Sequence, residues 1–304
     1  MRSRNEPVVQ VRGLGKRYGD AVAVDDLTFD VHPGLVTAFL GRNGAGKSTT
    51  LRMVLGLDRP TSGSAHVGGR PYADLPAPLR TVGSLLDSAA AHPGRTARDH
   101  LRWLAASNRI PARRVAEVLD LVDLAAVAGR RVRGLSLGMR QRLGIAAALL
   151  GDPPVLLLDE PTNGLDAEGI RWLRTSLRDL AREGRTVLVS SHLMGEVALT
   201  ADHLLVIDRG RLLADTPLRE LLAGSAGHLL RVRSPRAGRL HDLLAADGAT
   251  VTTGDDGVLL VSGLPAERVS AVAAGSGLPL LELTAVERSL EDAFLALTAA
   301  GGTA

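Results

Sequence analysis

The sequence predicts an α/β protein with a mostly parallel core sheet in its larger part and a small α+β module after it. Three observations predict this. Short apolar runs at Leu35–Leu40, Val155–Leu158, Thr186–Ser190 and Leu204–Ile207 are separated by helical patterns, a glycine-rich loop follows the first run, and strand and helix signals alternate beyond residue 228. Continuous apolar runs belong to strands buried on both faces, and helices between them return the chain so that the strands lie parallel.

The bulk composition agrees. Hydrophobic residues make up 45% of the 304 residues and charged ones 23%, with mean hydropathy +0.11, the balance of a packed globular chain and not of a disordered one. That length favours one large domain plus a small one. Cysteine is absent, which excludes disulfides and Cys-ligated metal and allows a reducing compartment. No run approaches the roughly 18 apolar residues of a membrane span, and Met1–Pro7 is polar with no apolar signal core behind it. A soluble chain is expected, so any membrane role must come through a partner. The net charge of +3 is almost wholly arginine, since Lys16 and Lys47 are the only lysines, and it reads as guanidinium groups spread over solvated faces, not as a nucleic-acid surface.

Taken in order, Val8–Gly13 and Leu27–Val31 are expected as strands around a turn at Tyr18–Gly19–Asp20. Leu35–Leu40 is a strand that enters the glycine-rich loop, and a helix is expected from Lys47 to about Leu57. From Leu75 to about Gly151 the pattern is mainly helical, with three- and four-residue apolar spacing in Asp99–Ala106, Ala112–Leu121 and Met139–Leu150. Ala223–Gly227 reads as a linker. Beyond it come strand His228–Arg233, helix Gly238–Ala246, strands Thr250–Thr253 and Val258–Val261 hinged at Asp256-Gly257, helix Ala266–Ala273, strand Pro279–Leu283 and a last helix. This β-α-β-β-α-β order is that of a split-βαβ, ferredoxin-like module. The expected domains are therefore 1–222, with a helical subdomain at about 75–151, and 228–304.

Gly41-Arg42-Asn43-Gly44-Ala45-Gly46-Lys47-Ser48 has small residues where successive backbone N–H groups must close around phosphates at a helix N-terminus. Lys47 would reach the β- and γ-phosphates and the Ser48 hydroxyl would face Mg2+. In a chain that otherwise uses arginine, lysine here marks a need for a compact point charge. Val155–Leu158 ends in Asp159-Glu160, and the C-terminal edge of a parallel strand is where such sheets place ligands. Asp159 is expected to hold Mg2+ through water, and Glu160 to polarise the water that attacks the γ-phosphate.

The sequence between and after these elements narrows the class. Leu135-Ser136-Leu137-Gly138-Met139-Arg140-Gln141 resembles the LSGGQ signature of ABC ATP-binding subunits, with Ser136 and Gly138 matching its Ser and second Gly. Asn163-Gly164-Leu165-Asp166 resembles the family's D-loop, and Ser190-Ser191-His192 its switch histidine. The resemblance covers about residues 8 to 220. It implies a P-loop NTPase (ABC-type) core with an antiparallel β subdomain and a helical subdomain, and ATP and Mg2+ as cofactors. Tyr18 would stack on adenine, while Gly41, Asn43, Gly44, Ala45, Gly46, Lys47, Ser48, Thr49 and Asp166 would bind nucleotide. His192 would join Glu160 in catalysis. Two copies would pack head to tail as a homodimer, with Ser136 and Gly138 completing the partner's site.

Two departures stand out. Leu137 and Met139 replace the signature's first Gly and its Gln, and Asp87 stands where the family's Q-loop has Gln and would bind Mg2+ or water by oxygen. Both features, with the closing motif Ser289-Leu290-Glu291-Asp292-Ala293-Phe294-Leu295, resemble the drug- and antibiotic-exporter subfamily of daunorubicin and bacitracin type. The resemblance implies a separately encoded membrane-spanning permease and a cytoplasmic location at the inner face of the membrane. The acids Asp255, Asp256, Glu282, Glu287 and Asp292 of the C-terminal module are scattered, so its expected role is stabilising or regulatory, such as a dimer contact.

Other classes compete. A soluble ABC ATPase acting on ribosomes or DNA would carry a second cassette or a long coiled-coil insertion, and a switch GTPase would carry an Asn-Lys-x-Asp motif; neither pattern is in this sequence. A catalytically weak binding module, which Asp87 and Met139 would suit, stays open at this point.

Overall fold

The computed structural model describes residues 6–87, 90–223, 229–254, 257–286 and 289–301. Two compact units divide the chain, Met1–Leu218 with Leu297–Ala304, and Arg219–Ala296.

The first unit opens with β1 (Val9–Tyr18) and β2 (Ala21–Val31), an antiparallel hairpin, then β3 (Val36–Leu40), helix α1 (Lys47–Val54) and β4 (Ser62–Val67). A short α2 (Pro78–Thr81) and β5 (Val82–Leu85) precede three helices, α3 (Ala97–Ser107), α4 (Arg113–Leu121) and α5 (Leu137–Leu149). There follow β6 (Val155–Asp159), α6 (Ala167–Arg182), β7 (Thr186–Ser191), α7 (Met194–Thr200), β8 (His203–Asp208) and β9 (Arg211–Pro217), and α8 (Leu218–Ala223) carries the chain from the first unit into the second. β2-β1-β4 form an antiparallel sheet, while β5-β6-β7-β3-β8-β9 form a sheet that is parallel except at its β8–β9 edge.

The apolar runs behave as two-sided strands should. In β6, Val155 and Leu157 face a core shared with Phe29, Phe39 and Leu51, while Leu156 and Leu158 face another shared with Leu101, Leu143 and Leu173. Alternation of side chains at period two thus divides one strand between two cores.

Several expectations shift. The hairpin strands run up to the turn instead of stopping at Gly13, because register shifts between Val11 and Arg17 let the ladder continue past poorly matched residues. Helix α1 ends at Val54 and not near Leu57: Gly56 turns left-handed at φ 64°, and the N–H groups of Gly56 and Leu57 bond to Met53 O at 3.0 Å and Arg52 O at 2.9 Å. That is a glycine-terminated helix end, which apolar spacing alone does not reveal. Within the expected helical stretch, Val82–Leu85 is a strand, since it pairs in parallel with Val155–Leu158 and tertiary pairing overrides local pattern. Gly83 is required there, as a Cβ would lie 2.0 Å from the Ala148 carbonyl oxygen.

In the second unit β10 (Leu229–Arg233), α9 (Ala237–Ala246), β11 (Thr250–Thr253), β12 (Leu259–Ser262), α10 (Ala266–Gly275) and β13 (Glu282–Val286) lead to α11 (Leu290–Gly301). The antiparallel order β11-β12-β10-β13 is the split-βαβ arrangement, built on Leu230, Val232, Leu240, Leu259, Val261 and Val269. β13 starts at Glu282 and not at Pro279, because its ladder begins where Arg233 ends β10. The expected linker residues 224–227, His228, Asp255, Asp256 and Glu287 lie outside the described residues.

Leu157 is fully buried in the middle of the core sheet. Leu157→Ala is expected to cost about 2–5 kcal/mol of stability, read as a lowered urea midpoint with the folded far-UV spectrum retained.

Candidate functional site

The phosphate loop occupies the turn from β3 into α1. Gly46 caps that helix at φ 104°, and a Cβ there would sit 2.5 Å from the Ala23 carbonyl oxygen, so β2 presses directly on the loop. Only glycine meets both conditions. Gly41, Ala45 and Gly46 are buried, Asn43, Gly44 and Ser48 are exposed, and Thr49 is half-buried on the first turn of α1. A helix start with no acidic residue in its first turn is a setting that favours an anion.

Lys47 is 6% exposed, and its Nζ donates to Gly41 O at 2.6 Å and to Arg42 O at 3.3 Å. The same Nζ lies 3.8 Å from Glu160 Oε1. Burial pushes the ammonium below the ordinary lysine range, while Glu160 and Asp159 pull it back up. Glu160 is thus within ion-pair reach of Lys47, and Asp159 is near enough to act on its charge.

Glu160 follows the end of β6 with φ at 46°, a left-handed conformation uncommon outside glycine. Several bonds hold it there. Its N–H donates to Ser190 O at 3.2 Å and Ser190 Oγ at 2.9 Å, and its carbonyl accepts from Gln141 Nε2 at 3.2 Å. The Ser190 hydroxyl in turn donates to Asp159 Oδ1. His192 Nδ1 lies 2.8 Å from Glu160 Oε2, so a proton on Nδ1 bridges ring and carboxylate. Lysine, glutamate and histidine thus converge from the ends of β3, β6 and β7.

Ser136, Gly138 and Asp166 form a separate group. Ser136 is exposed and caps α5, its Oγ accepting from the Met139 N–H at 3.2 Å. A Cβ on Gly138 would stand 2.7 Å from Gly164 O, so the signature and the D-loop are packed together within one chain. Leu137 lies over Gly164, and Met139 turns its side chain to the helical core. Asp166 Oδ1 accepts from the Gly169 N–H at 2.8 Å, a helix-capping bond. Asp87 is exposed two residues beyond β5, on the sheet edge that also ends in Asp159. Tyr18, 51% exposed at the hairpin end, donates from its hydroxyl to Asp58 Oδ2 at 3.1 Å.

Gln141 and Ser190, which the sequence reading named only as members of longer motifs, hold the Glu160 backbone. Both are buried, at 3% and 0% exposure. A Gln that cannot reach water on an otherwise apolar helix face was the available signal.

A phosphate loop, an acid-tipped strand and a histidine on one parallel edge define a P-loop nucleotide hydrolase. Comparison with known proteins narrows the class. The family model described as ABC transporter matches residues 24–163, and one described only as a domain of unknown function matches residues 228–291. The bacitracin transport ATP-binding protein BcrA of Bacillus licheniformis is 36% identical over 97% of this chain and 98% of its own length. The Nod factor export ATP-binding protein I of Cupriavidus metallidurans is 35% identical over 96% of this chain and 97% of its own. Among solved structures, an ABC transporter ATP-binding subunit superposes with TM-score 0.66 at 28% identity, covering 71% of this chain and 92% of that one. A dimeric ATP-binding cassette in a post-hydrolysis state with ADP and Pi gives TM-score 0.64 at 25% identity, over 69% and 99%. The chain belongs to the ABC transporter ATP-binding protein family, and it is an ATP-binding ATPase subunit. Among the described residues no helix is long and apolar enough to cross a membrane.

Gln141→Ala removes the bond that holds the Glu160 backbone. Steady-state assays are expected to show kcat lowered about tenfold with KM for ATP little changed, the scale of one buried hydrogen bond lost.

Proposed function

We propose that this chain powers a membrane exporter of small molecules of drug or antibiotic type, as a head-to-tail homodimer docked on a separately encoded permease at the cytoplasmic face of the membrane. Residues 1–222 serve as the ATP-binding domain, with the helical subdomain at about 75–151, and 228–304 as an accessory α+β domain. The names of the full-length relatives, bacitracin transport and Nod factor export, support the direction of transport. The observation that carries the catalytic reading is the Glu160 carboxylate, which lies 3.8 Å from Lys47 Nζ and 2.8 Å from His192 Nδ1 although both partners are distant in sequence.

Phosphoryl transfer to water asks a protein mainly for positioning and charge stabilisation. The N–H groups from Gly41 to Thr49 wrap the phosphates, and Lys47 exchanges its loop carbonyls for the β- and γ-phosphates. Glu160 orients the attacking water and takes its proton, while His192 holds the Glu160 carboxylate and contacts the γ-phosphate. Tyr18 offers its ring to adenine. Ser136 and Gly138 of the second copy cover the γ-phosphate, which suits the exposure of Ser136 at a helix N-terminus. Asp166 orders the segment that meets the twin chain.

The donor set fits Mg2+. No group of three or more acids or histidines gathers as a metal cage among the described residues, and Mg2+ shared with phosphates needs only one or two protein oxygens. Ser48 would hold it by its hydroxyl and Asp159 through water, with Asp87 as a further oxygen to the ion or its water, and the bound ion would neutralise phosphate charge.

Glu160→Gln is expected to bind ATP, remain dimeric and lose at least about a hundredfold in turnover, the scale of a missing general base. Normal hydrolysis would show that another group takes the proton. Lys47→Ala is expected to lose nucleotide affinity in equilibrium binding, and unchanged affinity would refute the phosphate-loop reading.

A further inference from the structure

The ring of Tyr18 is held from two sides by residues that none of the roles above includes. On β1, Lys16 and Tyr18 are two positions apart and so share a face. Lys16 Nζ lies 4.9 Å from the ring centroid, within cation–π range. The ammonium is itself tethered, donating to Arg59 O at 2.7 Å. At the other end of the ring, the Tyr18 hydroxyl donates to Asp58 Oδ2, and that carboxylate also accepts from Arg52 Nε at 2.8 Å and Nη2 at 3.2 Å.

These contacts reach the phosphate loop through one helix. Arg52 lies in the last turn of α1, and the left-handed turn at Gly56 brings the Asp58 N–H back to within 3.4 Å of Arg52 O. The helix that begins at the phosphate loop therefore ends at the carboxylate that fixes the tyrosine.

We propose that Lys16 and Asp58 are positioning residues for the nucleobase: Lys16 closes one face of the Tyr18 ring and Asp58 sets its tilt, leaving a single face for a purine to stack on. This rests on the reading of Tyr18 as the adenine platform. An exposed tyrosine at a hairpin tip loses rotamer freedom when a base binds, and fixing the ring beforehand removes that cost from the binding step. Stability does not account for the cluster, because exposed ion pairs such as Arg52–Asp58 contribute little to folding. The choice of lysine fits too. Of 36 basic residues only two are lysines, one in the phosphate loop and one against this ring. A guanidinium is planar and stacks on aromatic faces, whereas an ammonium is a compact point charge that three donors can tether.

The test compares binding of ATP with binding of inorganic triphosphate to the full chain. Lys16→Met and Asp58→Ala are each expected to raise KM for ATP about three- to tenfold with kcat unchanged, a fraction of the stacking contribution of one base. Lys16→Arg, which keeps the positive charge but exchanges the tethered ammonium for a flat guanidinium, is expected to recover only part of the loss, and triphosphate affinity is expected to stay the same in all three. If Tyr18→Ala leaves ATP affinity intact, the platform reading fails and this proposal with it. If Tyr18→Ala weakens ATP binding while Lys16→Met and Asp58→Ala do not, the positioning proposal alone is overturned. Equal weakening of ATP and triphosphate would also overturn it, as damage to the loop and not to the base contact.

Discussion

Everything at the site depends on three adjacent parallel strands ending together. β6, β7 and β3 are neighbours in the sheet, with Asp159 opposite Ser190 and Leu40 opposite Ser191. Parallel register makes their C-terminal ends level, so the residues just beyond them share one edge although the paired ends Asp159 and Ser190 are 31 positions apart in the chain and Leu40 and Ser191 are 151 apart. The local polar bonds finish the alignment. Ser190 reaches across to both Asp159 and Glu160, and the two strands cannot slip without breaking these contacts. A slip of one residue would turn Leu157 from one core to the other and reverse every acid with it.

Much of this was legible from the amino acids. The strands that form the edge announced themselves as apolar runs, because burial on both faces leaves no room for polar alternation. The loop and the acid pair were legible for a different reason: backbone approach to phosphate and proton abstraction each demand specific residue types. What escaped has a physical explanation in each instance. Val82–Leu85 has only four residues and a glycine, and it becomes a strand by pairing with β6. Ser62–Val67 and Arg211–Pro217 lie at sheet edges with little buried apolar surface, so their sequences carry a weak signal. Gln141 and Ser190 were named only within longer motifs, because the bonds they make to the Glu160 backbone depend on how distant elements pack.

The departures at the signature also make sense once packed. Leu137 rests over Gly164 while staying half exposed, and Met139 packs on the helical core, so only the second trades a polar side chain for apolar contact inside the chain. The serine hydroxyl and the helix start stay at the surface. In the second unit the split-βαβ order arose from hydrophobic alternation alone, and Leu230, Val232, Leu259 and Val261 confirm why: each points to the helices that cover the sheet.

The bond from Gln141 to the Glu160 carbonyl has a consequence for a paired molecule. α5 is a rigid rod of 13 residues with Ser136 at its outer tip and Gln141 in its second turn. In the proposed head-to-tail pair, that tip would face the nucleotide of the sister chain, while the glutamine bonds the Glu160 carbonyl of its own. Each rod would then be a lever spanning both hydrolytic centres, and the order in which they fire would be set by mechanical reciprocity between twins.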